Sequence, residues 1–135
     1  MKLSEIINSI YINDNRINFT GSEKKFEIIV EYINDFFSID DLEKEIDVLQ
    51  RLQSLQTEEL YSFIMTELYG FMEFNRSSVA LVGGSFDFSC RLLYKLDTKE
   101  CIIQPIYSRE DVFYIKGEFL IRILKDILCI YKLLL

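Results

Sequence analysis

Apolar positions recur every three or four residues through much of the first half of the chain and every second residue through much of the remainder. The pattern therefore predicts helices first and a sheet afterwards. Phe26, Ile29, Val30, Ile33 and Phe37 form a helical stripe, and Ser22, after Gly21, stands where an N-cap would accept from the first free amides. Residues 3–19 support two readings. Leu3, Ile6, Ile7 and Ile10 have helical spacing, whereas Ile10-Tyr11-Ile12 and Ile17-Asn18-Phe19 around Asn13-Asp14-Asn15 read as a small hairpin. Further on, Asp40 with Glu43 three residues later makes a capping-box-like start. From there to Phe74 only Gly70 interrupts, which is too long for one helix in so small a domain. A break is expected near residues 54–57, with Thr57 capping a second helix through Tyr61, Ile64, Leu68, Phe71 and Met72.

From Ser77 the period becomes two. Phe86, Phe88, Cys90, Leu92, Tyr94 and Leu96 alternate with Asp87, Ser89, Arg91, Leu93 and Lys95, which predicts a strand with one buried face and one mostly wet face. Gly83-Gly84 would join it to residues 78–82 as a tight hairpin. A turn centred on Thr98-Lys99 would set Cys101 opposite Leu96, Ile103 opposite Tyr94 and Tyr107 opposite Cys90. Pro105 marks that third strand as an edge, because it has no ladder N–H to give. A short strand over 112–115 follows, and after Gly117 an apolar helix over 118–133 with Arg122, Lys125, Asp126 and Lys132 on one narrow face. The expected fold class is α+β, with N-terminal helices, a three- to four-stranded antiparallel meander and a C-terminal apolar helix, in a single domain over residues 1–135.

Composition adds limits. A chain of 135 residues, 50% apolar and 14% aromatic, buries roughly two-thirds of its unfolded surface and needs neither metal nor disulfide to build a core. Cys90, Cys101 and Cys129 are odd in number and widely spaced, which points to free thiols in a reducing compartment, so the cytoplasm is the expected address. Met1-Lys2-Leu3-Ser4-Glu5 has no apolar core of a secretory signal. The most apolar window, 119–135, falls short of the roughly 20 residues of a membrane span and is broken by charges.

The absence of histidine removes the commonest general base, the commonest metal ligand and every Ser-His or Cys-His pair. No enzymatic activity, cofactor or metal is expected. Glu67, Glu73, Asp87 and Glu118 are acids set among apolar residues, but nothing in the sequence pairs them, and they read as surface groups. Val82-Gly83-Gly84-Ser85 lacks the Lys-Ser/Thr of a phosphate loop. Cys90 and Cys129 sit on apolar stripes and read as core thiols.

Charge is unevenly placed. Residues 1–60 carry 13 acids against six bases, residues 61–135 nine of each, so the net charge of -7 belongs to the N-terminal part. Asp35, Asp40, Asp41, Glu43, Glu45 and Asp47 stand against the single base Lys44. No Asp-x-Asp-x-Asp-Gly order offers a calcium loop. Such a field repels phosphate backbones and speeds encounter with basic surfaces, so the expected partner is a basic protein rather than nucleic acid or membrane. Reversing Asp40, Asp41 and Glu43 together is expected to slow that association. Tyr32, Phe36, Phe37 and Tyr61 nearby read as core aromatics, or as anchors beside the acids.

In small size, in the acidity of residues 35–47, in the lack of histidine and in its abundance of Ile, Asn, Lys and Tyr, the chain resembles bacterial immunity proteins of contact-dependent growth inhibition and polymorphic toxin systems. The resemblance is one of overall type. It implies a non-catalytic inhibitor that caps a cationic nuclease-type toxin, with carboxylates standing in for phosphates. Two rival readings belong to other classes. One is a homo-oligomeric structural or adaptor domain associating through its apolar terminal helix with Leu133, Leu134 and Leu135. The other is a histidine-free enzyme or small-ligand binder with a pocket between sheet and helices.

Overall fold

Each of the two readings of residues 3–19 is realised in part. In the computed structural model, which describes residues 1–83, 89–107 and 111–135, one helical turn, α1 (Leu3–Ile6), runs directly into β1 (Ile7–Asn13), which pairs antiparallel with β2 (Arg16–Gly21). Asp14 and Asn15 both take positive φ, 53° and 60°, the primed two-residue turn whose twist suits a hairpin. Ile17 and Phe19 of β2 are buried, while β1 lies mostly exposed.

Ser22 is not an N-cap. Its hydroxyl donates to the Glu5 carbonyl at 2.6 Å, and a 3₁₀ turn (Lys24–Phe26) leads into α2 (Glu27–Ile33), which has no side-chain cap. Phe26, Ile29, Val30 and Ile33 are buried as the stripe predicts, but Phe37 lies past the helix end, 54% exposed, with the Arg16 guanidinium 3.8 Å over its ring. Asn34 closes α2 by acting as a strand substitute. Its Nδ2 donates to the Phe19 carbonyl at 3.0 Å and its Oδ1 accepts from the Phe19 N–H at 2.9 Å. The end of α2 is thereby fixed to the hairpin, which sets the position of the residues that follow.

α3 (Ile39–Ser54) has its cap two residues earlier than the expected Asp40. Ser38, with extended backbone, accepts from the Asp41 N–H at 3.2 Å. Asp40 is already inside the first turn, where its charge meets the positive helix end instead of capping it. The break falls at Leu55 and Gln56 as anticipated, but α4 (Thr57–Glu67) has Gln56 at its cap position and no side-chain cap, so Thr57 does not serve there. Nor does α4 reach Phe71. Gly70 takes φ 77° and its N–H bonds to the Ile64 carbonyl at 3.2 Å, a left-handed stop that reverses the chain. Phe71 and Met72 therefore fall in β3 (Phe71–Phe74).

Among the described residues the main sheet has five antiparallel strands in sequential order, more than the three or four expected: β3, β4 (Ser77–Gly83), β5 (Cys90–Lys95), β6 (Glu100–Pro105) and β7 (Phe113–Lys116). Asn75 and Arg76, with φ 47° and 65°, form a second primed turn between β3 and β4. Gly83 lies in the ladder opposite Leu92 rather than at a turn centre. Gly84, Phe86, Asp87 and Phe88, expected in that turn and at the start of the next strand, lie outside the described residues. Cys101 faces Tyr94, Ile103 faces Leu92 and Pro105 faces Cys90, two residues from the expected register, because the loop holds the four residues 96–99, with Lys99 at φ 57°. A shift of two leaves every side chain on its predicted face. It also keeps Cys90 and Cys101 apart, and all three cysteines are free.

Pro105 does not mark an edge strand, since β7 covers β6. β7 pairs only with residues Glu100 to Ile103, however, so the proline sits beyond its reach. Ala80, Val82, Leu92, Tyr94, Ile103 and Ile115 face the helices in the main core. The far face is not wet throughout, since Val79, Leu93 and Ile102 are fully buried there beside Met72, Phe74 and Leu81. α5 (Gly117–Leu134) packs along α3 through a stripe including Leu120, Leu124, Ile127 and Tyr131, and exposes Arg122, Lys125, Asp126 and Lys132. Cys129, expected in the core, is exposed, because it lies about 200° around the helix from Ile127. No helix among the described residues is long and apolar enough to cross a membrane.

Candidate functional site

The helical phase of α3 divides the acidic segment into three parts. Leu42, Ile46, Leu49 and Leu52 form the core stripe. Asp40, Glu43 and Asp47, spaced three and four apart, share an outward stripe and are exposed. Asp41 and Glu45, four apart, fall between the two stripes and line a cavity of about 270 Å³ between α3, the end of α2 and strands β4 and β5. Asp35 belongs to neither stripe of α3. It follows α2 and is 8% exposed. The six acids that the sequence groups together thus form an exposed row of three and three that line the cavity, of which Asp35 is the buried one.

Asp35 organises the site from beneath. Its Oδ2 accepts from the Ser89 N–H at 3.0 Å and the Cys90 N–H at 3.2 Å, while Oδ1 also approaches the Ser89 N–H at 3.1 Å. One carboxylate therefore anchors the start of β5 to the end of α2. Burial pushes its carboxyl above the usual range, against the two amides and Arg16, which pull it down. Tyr131 of α5 fixes the same loop by donating to the Phe36 carbonyl at 2.8 Å.

Glu45 is the second inward acid. Tyr32 donates to its Oε2 at 2.9 Å, and burial drives its carboxyl from 4.5 up to about 7 despite that hydrogen bond. Burial, the Glu45 charge and the hydrogen bond hold the Tyr32 phenol well above its ordinary value. Phe36, Val48, Val82 and Leu92 supply apolar wall, and Lys44 is the cation at the rim. Cys90 also borders the cavity, but burial raises its thiol to about 12, so it is not a nucleophile near neutral pH.

The exposed row continues into α4. Arg51 stands 3.7 Å from Asp47 and 3.1 Å from Glu67, and a shallow groove beside it is lined by Glu58, Glu59 and Glu67. Among the described residues Arg51 is the cation within ion-pair distance of this surface. Tyr32 and Phe36 are core residues, whereas Phe37 and Tyr61 are exposed, Tyr61 at 59% and stacked on Phe71 at 5.5 Å. Glu73 and Glu118 are solvent-facing, as expected of isolated acids. Among the described residues no group of His, Cys, Asp or Glu is arranged to hold a metal ion.

The sequence reading allowed for a pocket between sheet and helices but did not place it beside α3, and it missed the inward turn of Asp41 and Glu45. The signal was present in the spacing of the acids themselves, since Asp41 and Glu45 are four apart and out of phase with Asp40, Glu43 and Asp47. No family model matches the chain, and no curated protein and no solved structure matches it.

Proposed function

We propose that this chain is a non-catalytic inhibitory binding protein, an immunity protein acting in the cytoplasm, whose acidic α3–α4 face covers a basic, nuclease-type toxin domain. The observation that carries the reading is the surface itself. Asp40, Glu43, Asp47, Glu58, Glu59 and Glu67 lie exposed on two successive helices, with Arg51 the cation in ion-pair range among the described residues. An exposed negative surface with few internal partners steers a positive one and repels nucleic acid. The exposed ring of Tyr61 on α4 offers an aromatic anchor of the kind that carries energy in tight interfaces.

The test is capture from the source cell followed by inhibition. The tagged protein should recover one basic protein at low salt, and the nucleic-acid cleavage of that protein should fall in proportion to added inhibitor up to equimolar amounts. A variant with Asp40, Glu43 and Asp47 all changed to Lys should lose both effects while remaining folded. These three replace a trio that includes Asp41, because Asp41 borders the cavity. Capture and inhibition unchanged by the triple variant would overturn the reading.

A second reading, self-association, draws on the exposure of Leu133, Leu134 and Leu135 at the end of α5. The remainder of that helix's apolar stripe already packs in the core. Light scattering at micromolar concentration should return a dimer mass or larger on this reading and a monomer on the first.

A further inference from the structure

We infer that the cavity beside α3 receives a single alkylammonium group, with Glu45 as its counter-charge and a lysine side chain of the basic partner as its occupant. Naming the partner's lysine rests on the proposed function, whereas the ammonium site itself rests on the cavity alone.

Size comes first. About 270 Å³ lies just under the roughly 300–1,000 Å³ of pockets that enclose drug-sized ligands, so the space suits one long side chain. The walls select its stem, since Phe36, Val48, Val82 and Leu92 present apolar surface along which methylene groups shed water. Gly83 lies beside the Glu45 carboxylate. A Cβ at that position would stand 3.9 Å from Glu45 Oε1, and a longer side chain would extend from there into the space in front of the carboxylate.

Charge selects the head group. Asp35, Asp41 and Glu45 face the cavity against Lys44, and Asp35 is already committed to the Ser89 and Cys90 amides. An anion would meet net negative charge, and a neutral ligand would offer the partly buried Glu45 carboxylate no counter-charge, favouring its protonated form instead. Ammonium is favoured over guanidinium by the remaining valence of the site. Tyr32 occupies Oε2, which leaves Oε1 as the free oxygen among the described partners, enough for a point charge but not for the two-oxygen fork that guanidinium prefers.

The site is sensitive to pH through Glu45, whose carboxyl lies at about 7 when the cavity is empty. Tyr32 and Cys90 are both raised by burial and stay protonated through this range. Cys101, within electrostatic range of Glu45, is likewise raised by burial and stays protonated, and Asp41, Lys44 and Tyr69 line the cavity beside the raised Asp35. Ammonium binding is therefore strongest above neutral pH, where Glu45 ionises, and falls as it protonates.

The experiment uses the protein alone, with n-butylammonium, n-butylguanidinium and n-butanol as probes, followed by amide chemical shifts at about pH 8 and about pH 6. n-Butylammonium should saturate shifts in residues 44–48 and 90–92 at least tenfold more tightly than n-butanol, and more tightly than n-butylguanidinium. Binding should weaken severalfold at the lower pH. Glu45→Gln, nearly isosteric, should cost at least tenfold in n-butylammonium affinity without changing the fold seen by circular dichroism. Val48→Phe, which fills the wall while keeping the carboxylate, should block the probe as well. Equal affinity for n-butanol and n-butylammonium, or saturation undiminished in Glu45→Gln, would overturn the site. Because no partner is present, such a failure leaves the exposed acidic row untouched. Conversely, ammonium binding together with an ineffective triple charge reversal would retain the site and remove the partner.

Discussion

Glu45→Gln gives a stability effect whose dependence on pH can be worked out in advance. The folded protein holds this carboxyl at about 7 against 4.5 ordinarily, so folding favours its protonated form. At about 1.4 kcal/mol for each pH unit between the two values, that preference amounts to about 3 kcal/mol. The sign follows from proton counting. Between these values the folded state binds more protons than the unfolded state, so stability is full below about 4.5 and is lost as pH rises through about 7. Gln cannot ionise, yet its carbonyl can still accept from Tyr32. Relative to wild type, the variant should therefore differ by less than about 1 kcal/mol at pH 5 and be more stable by about 3 kcal/mol at pH 8. For a chain of this length that is an increase of about 10 °C in Tm. Urea unfolding of both proteins at several values from pH 5 to pH 8 measures the difference directly, and the pH dependence of Asp35, common to both, cancels. A difference that stays constant with pH would refute the assignment of Glu45 as a partly buried carboxylate ionising at the cost of stability. If it grows as calculated, retaining Glu45 weakens the fold above neutral pH, as expected of a group kept for binding.

Three further outcomes follow from the packing. Asp35→Ala should destabilise by about 2–3 kcal/mol in urea unfolding, because it strips the Ser89 and Cys90 amides of their acceptor, and Asp35→Asn should lose less because one acceptor oxygen remains. Tyr131→Phe should cost about 1–2 kcal/mol by leaving the buried Phe36 carbonyl unpaired, and an unchanged Tm would contradict that bond. Arg76→Gly should stabilise by up to about 1 kcal/mol, since Arg76 holds φ 65° in a turn that favours Asn-Gly; a loss of stability in thermal unfolding would contradict it.

The helical core was legible wherever spacing alone decides burial. The stripes of α2 and α5 and the break before Thr57 follow from 3.6-residue periodicity, and the α+β class follows from the change of period. The caps were not legible, because Ser22, Asp40 and Thr57 are chemically competent yet lie outside the cap positions that the backbone adopts. β3 was hidden because Phe71 and Met72 also continue the helical spacing of α4, and only the positive φ of Gly70 ends it. The register of β6 depended on a four-residue loop that the sequence leaves open. The candidate site was half legible. The exposed row of α3 was visible as charge, but the burial of Asp35 requires the Ser89 and Cys90 amides, 54 and 55 residues away. Such a pairing belongs to tertiary structure and leaves no local pattern.

The most direct test of the acidic α3–α4 face is the rate of association with the captured basic partner as a function of salt. For the wild type the rate constant should fall steeply from about 0.05 M to about 0.5 M salt, as screening shortens the reach of exposed charges. For the variant with Asp40, Glu43 and Asp47 changed to Lys it should be slow and nearly flat. Matching salt dependences for the two proteins would contradict the assignment of this face as the surface that meets the partner.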